Sequence, residues 1–183
     1  MKFPFKLGPR ALLLLVIIVV VLLIVLGWLI LAFNGLVAKK ENANAQCREV
    51  DNQYQRKFDL IPALTGVVGN LTAFERDTLT NITLLRSQWG NATTIEQKAN
   101  VSGQFDSVIT AVRVQVENYP NLNSIWLAEG LMTELAGTEN RITVARLRYI
   151  EDARDYNIKI QQFPDNMVAG MFGFTRIAET CGL

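Results

Sequence analysis

Residues 11–33 run for 23 positions without one charged side chain, and most of them are Leu, Ile or Val. As a helix rising 1.5 Å per residue, such a run is about 35 Å long, enough to cross a hydrocarbon core of about 30 Å. Its apolar side chains point in every direction, so it has no polar face to show to water from inside a soluble core. The chain therefore reads as a single-pass membrane protein, with residues 1–10 a short basic segment and residues 11–33 the transmembrane helix. A cleaved signal peptide has a shorter apolar region, about 7–15 residues, and a small-residue cleavage site close behind it. Here the run is longer, and only Leu36-Val37-Ala38 offers such a site.

Flanking charge sets the expected orientation. Lys2, Lys6 and Arg10 precede the span with no acidic neighbour, whereas Lys39 and Lys40 follow it and are offset by Glu41. The excess of basic residues favours a cytoplasmic N-terminus and a domain on the extracytoplasmic side of the cell membrane. Four N-glycosylation sequons fall close together at Asn70, Asn81, Asn91 and Asn100. If they carry sugar, the domain is exported. The alternative is an Asn- and Thr-rich helix surface in a cell that does not glycosylate.

About 150 residues remain after the span, enough for one domain with a real core. Of the 18 Lys and Arg residues, three lie before the span, which leaves 15 against 17 Asp and Glu. A slightly acidic domain without a basic stripe cannot track a phosphate backbone, so nucleic acid is not an expected partner. Cys47 and Cys181 are too few for a disulfide scaffold and too distant for a zinc knuckle. No metal, cofactor or catalytic residue is expected.

Beyond the span the periodicity is helical throughout, predicting an all-α fold. Ala43, Cys47, Val50, Tyr54, Phe58, Ile61, Leu64, Val68 and Leu71 form one apolar stripe in steps of three and four, interrupted at Pro62. A second helix spans Ala73 to Trp89, with Phe74, Thr78, Ile82, Leu85 and Trp89 inward. Thr94 and Gln97 have capping-box spacing for a third helix, whose stripe is Val101, Phe105, Val108, Val112 and Val116. It stops at Tyr119-Pro120. The fourth carries a coiled-coil-like heptad seam: Ile125, Ala128, Met132, Leu135, Glu139, Ile142, Arg146, Tyr149, Ala153, Tyr156, Ile160 and Phe163. Four such helices joined by short turns predict an antiparallel up-down-up-down bundle over residues 34–164. Residues 165–183 form a short amphipathic tail with Met167, Met171, Phe172 and Phe174 as its apolar members.

Several segments carry a resemblance. They are Asn34-Gly-Leu-Val, Val50-Asp51 and Gln55-Arg56-Lys57-Phe58-Asp59-Leu60-Ile61-Pro62, followed by Val116-Glu117-Asn118-Tyr119-Pro120-Asn121-Leu122. The fourth helix adds Leu135-Ala-Gly-Thr-Glu-Asn-Arg-Ile142, Ala145-Arg146, Tyr156-Asn157 and Phe163-Pro164. In this order the chain resembles the LemA family of single-span membrane proteins. The resemblance implies a helical bundle on an N-terminal anchor, membrane or envelope roles with self-assembly, and no enzyme class. This chain departs from the family pattern at Phe74-Glu75, where His-Glu is common. Ile150 stands in place of an Asn after Tyr149, and Cys47 in place of a Trp.

Charges on the seam need partners, because an unpaired buried charge is costly. Glu139 and Arg146, one heptad apart, are expected to meet Arg56 and Asp59 of the first helix in a polar layer that fixes register. Removing Glu139 would then strand an arginine at a cost of several kcal/mol. The alternative is a partly exposed fourth helix carrying surface charges. Gly130 and Gly137, also a heptad apart, cost about 1 kcal/mol each in a helix interior and point to close approach of another helix, within the bundle or between subunits. In an up-down bundle the ends of the domain meet, so Cys47 and Cys181 are either disulfide-bonded or a buried thiol and a dangling one.

The function expected is a structural scaffold, in contact with membrane lipid and homo-oligomeric, without catalysis. The alternative is a binding or sensory module that regulates another membrane protein, such as a protease, although the span lacks polar residues and a Gly-xxx-Gly face for specific contacts.

Overall fold

The computed structural model describes residues 9–69, 76–118 and 125–181, and every regular element among them is helical. Helix α1 (Pro9–Asp59) is continuous for 51 residues. It is followed by α2 (Ile61–Gly69), α3 (Arg76–Asn91), α4 (Ile95–Asn118), α5 (Ile125–Lys159) and α6 (Asp165–Phe172). The apolar run and the part of the first stripe from Ala43 to Phe58 thus lie on one helix. Pro9 is tolerated at its start because a first-turn N–H has no intrahelical partner. From Leu12 to Leu26 the large apolar side chains are exposed, and α1 is long and apolar enough to cross a membrane.

The break expected at Pro62 is a restart. Helix α1 ends at Asp59, and α2 begins one residue before the proline, where the missing donor costs nothing. Between α3 and α4 the capping box forms: Gln97 N–H donates to Thr94 Oγ1 at 3.2 Å, and the Thr94 N–H returns a bond to Gln97 Oε1 at 3.2 Å. It satisfies donors that the first turn of a helix leaves free.

The chain divides into two compact units. One comprises Met1–Glu41 and Asp155–Ile177. In it Val168 and Ala169 of α6 and Tyr156 and Ile160 pack with Ala32 and Leu36 of α1, bordered by Trp28, Leu29, Phe33, Phe174 and Ile177. Gly173 ends α6 in the left-handed conformation, φ 72°, which lets Phe174 N–H close onto Ala169 O at 2.9 Å. The segment beyond is held by side chains. Tyr156 Oη donates to Thr175 O at 3.0 Å, and Asn157 pairs with Ile177 through both its donor (2.9 Å) and its acceptor (3.0 Å).

The other unit comprises Asn42–Arg154 and Ala178–Leu183. Its core draws Phe58 from α1, Ile61 and Leu64 from α2, Ile82 and Leu85 from α3, Val101, Phe105 and Val112 from α4, and Leu131 and Leu135 from α5. Helix α3 packs against α2 and α4. Phe58 stacks on Trp89 at 3.8 Å between ring centroids and lies 5.5 Å from Phe105.

The first stripe is buried from Ala43 to Leu64, with Val68 and Leu71 outside the described side chains. Ile82, Leu85, Val101, Phe105 and Val112 are buried as expected, whereas Phe74, Thr78 and Val116 also fall outside the described side chains. The fourth stripe differs at its end. Phe163 is 79% exposed, because α5 stops at Lys159 and the chain has turned before Phe163 is reached.

Candidate functional site

The first stripe of α1 carries a cation among its apolar residues. Ala43, Val50, Lys57 and Leu64 repeat at heptad spacing, and all four are buried. The Lys57 side chain is 1% exposed. Its Nζ donates to Ser102 Oγ at 2.6 Å, lies 2.7 Å from Asp106 Oδ1 and donates to Glu139 Oε2 at 2.7 Å. An ammonium has three donors, and here each has an acceptor. The three partners come from α4 and α5, so one side chain of α1 binds two other helices.

Tyr54, one turn earlier, extends the node. The Arg146 guanidinium lies near its hydroxyl. Burial pushes that hydroxyl above its usual pKa of 10.0; the Glu139 carboxylate adds to the shift, while Arg146 and Lys57 oppose it. Burial also raises Tyr149, whose hydroxyl donates to Ala178 O at 2.5 Å. A raised acid binds its proton more tightly in the folded than in the unfolded state, so stability is unaffected below the unfolded value and falls as pH rises through it. Unfolding free energy is expected to hold to about pH 9 and then fall, with a shallower fall in Tyr54→Phe. An equal slope in that variant would exclude the Tyr54 contribution.

Glu139 and Arg146 therefore have partners other than those expected. Arg56 and Asp59 are exposed, and Asp59 accepts from Gln55 at 2.8 Å on the same helix. Tyr54, Lys57 and Phe58 occupy the inward positions, which turns Arg56 and Asp59 outward. The Glu139 side chain is 50% exposed, and without it Lys57 would keep Asp106 and Ser102. The expected loss for Glu139→Ala accordingly drops to about 1 kcal/mol.

The glycines also differ from expectation. A Cβ at Gly130 would meet nothing within 4 Å, and at Gly137 only the Arg141 side chain of the same helix. Among the described residues, no other helix approaches either one. Of the sequons, Asn81, Asn91 and Asn100 are exposed, and Asn70 lies outside the described residues. Ser102, third residue of the Asn100 sequon, is buried against Lys57.

Cys47 and Cys181 are in contact, their Cα atoms 5.5 Å apart and 134 positions distant in sequence. Beside them a cavity of about 260 Å³ is lined by Val50, Ile95, Ala99, Arg146 and Tyr149, with Glu96 and Glu179 at its polar side. In the first turn of α4, Lys98 pairs with Asp51 and lies 5.2 Å from the Trp89 ring. The saturated lysine is suited to holding helices in register.

The LemA family model matches residues 46–180, most of the chain. The chain belongs to the LemA family. Among curated relatives, Magnetosome protein MamQ 2 of Paramagnetospirillum magneticum is 25% identical over 174 residues, covering 81% of this chain and 64% of that protein. Magnetosome protein MamQ of Magnetospirillum gryphiswaldense is 25% identical over 175 residues, with the same coverage. Protein LemA of Metamycoplasma hominis is 28% identical over 139 residues, 75% of this chain and 62% of that protein. The chain thus spans just under two thirds of the length of these relatives.

Proposed function

We propose that this LemA-family chain is a single-span anchored scaffold that self-associates on the extracytoplasmic side of a membrane and acts without catalysis. The domain is an antiparallel helical bundle whose register is held by the Lys57 node. The observation that carries the self-association is the outer side of α5. Val144, Leu147 and Ile150 are 38%, 56% and 39% exposed there, and on the same helix no described residue comes within 4 Å of a Cβ at Gly130. Apolar side chains clustered on a helix surface mark an association site, and a glycine that no described residue approaches leaves room for a second copy. Two relatives named for the magnetosome, alongside one named LemA, support a structural role at a cellular membrane. The Cys47–Cys181 contact, closed as a disulfide, accords with an oxidising, exported location, as would sugars on Asn81, Asn91 and Asn100.

The test is the mass of the full chain extracted gently from its membrane, by light scattering after size exclusion. A homomeric species is expected, and Leu147→Glu should reduce it to a monomer with little change in unfolding temperature, because the residue is exposed. A monomeric wild-type chain would remove the scaffold and redirect attention to another membrane protein as partner.

A further inference from the structure

The short helix α6 is built with two apolar sides and only one place to bury them. Val168 and Ala169, 1% and 3% exposed, pack on Ala32 and Leu36 of α1. Phe33 meets Phe172 and Phe174 edge-on, with ring centroids 4.9 and 5.6 Å apart. Trp28, Leu29, Ala32 and Phe33 are the last two turns of the apolar run, so α6 docks against the end of the span itself.

The rest of this segment is largely exposed. Phe163, Met167 and Met171 recur every four residues and are 79%, 59% and 71% exposed, with Phe172 54% exposed beside them. Four large apolar side chains within ten positions would be a liability in water. One of them, Phe172, meets Phe33 in the last turn of the apolar run, where Ile30 and Leu31 are themselves exposed. The charges of the same unit lie just beyond: Lys159 pairs with Asp165 at 2.9 Å, and its stem lies against Gly35, two residues past the span. Lys39 pairs with Asp155 at 2.9 Å. Apolar side chains level with the end of the span and charges one turn further out are the pattern of an interfacial element.

We propose that residues 163–172 form a second lipid contact, seated at the hydrocarbon boundary beside the end of the span. This rests on the reading of α1 as a transmembrane helix. The C-terminal segment then meets the bilayer twice over, through its packing on α1 and through its own apolar face. Lipid is the occupant because the segment is seated on Ala32 and Phe33, residues of the apolar run that the bilayer covers.

The experiment uses the full chain reconstituted in phosphatidylcholine vesicles that contain a lipid with an aryl-diazirine on its acyl chain. After illumination and trypsin, carbene adducts are counted by mass spectrometry on the span peptide, on the peptide Ile160–Arg176 and on peptides of α3 and α4. Labelling of Ile160–Arg176 is expected at roughly tenfold the level of the α3 and α4 peptides, and the double variant M167Q/M171Q should lower it several-fold without changing the span. A labelled span with Ile160–Arg176 at background would overturn the inference and leave the anchor standing. So would a yield unchanged in M167Q/M171Q. An unlabelled span would overturn the anchor, and this inference with it.

Discussion

Replacing Asp106 by Asn and Glu139 by Gln together is expected to destabilise the fold by about 3 kcal/mol, more than the two single changes combined. Lys57 is 1% exposed, so the double variant leaves an ammonium buried with only neutral acceptors around it. Either carboxylate alone still neutralises it, which limits each single change to about 1 kcal/mol. Both carboxylates are close to half exposed, at 49% and 50%, so solvent screens the pairs and the value sits at the low end for a broken buried ion pair. Adding Lys57→Met should recover most of the loss, because a thioether chain fills the same space and needs no counter-charge. Denaturant unfolding of the five proteins in detergent, followed by circular dichroism, measures the cycle and its rescue. A double variant within about 0.5 kcal/mol of the parent would show that the node does not hold the helices.

That node also shows what the sequence made legible. The anchor, the helical periodicity and the stripe from Ala43 to Leu64 follow from side-chain spacing alone, because apolar burial dictates which face of a helix turns inward. The node was misread by one position. The step from Tyr54 to Phe58 keeps the stripe apolar and skips Lys57, which leaves Arg56 and Asp59 as the neighbouring charges that spacing offers to Glu139. The heptad Ala43, Val50, Lys57, Leu64 was the available signal: a lysine in register with three buried aliphatics needs acceptors nearby. A periodicity pattern scores residue type, whereas a lysine has an apolar stem that buries as readily as a leucine if its end finds oxygens. The tail is only partly legible for a related reason. Its apolar residues were evident, but which of them turn toward α1 depends on where α5 ends and the chain reverses. The pair Tyr156-Asn157, noticed only as part of a resemblance, holds the returning segment at Thr175 and Ile177.

Breaking the Cys47–Cys181 link is expected to have the largest single effect on stability, about 4–5 kcal/mol in the chain-entropy treatment for a loop of this length. The two residues are 134 positions apart, with Cα atoms 5.5 Å from one another, a separation that a disulfide spans without backbone movement. Closing so long a loop removes a large share of the unfolded chain's freedom, and the native state already holds the returning segment through Tyr149 and Ala178. Cys47→Ser and Cys181→Ser should therefore each lower the unfolding free energy by the same amount, and the double variant by no more than either, because one bond is lost in all three. Reductant should lower the wild type to the level of the variants and leave the variants unchanged. Alkylation before reduction should add no label to protein taken from its native membrane, and alkylation after reduction should add two. Two thiols labelled without reduction would exclude the link and, with it, the argument from redox chemistry for an exported domain. The location would then rest on flanking charge and on sugars at the sequons.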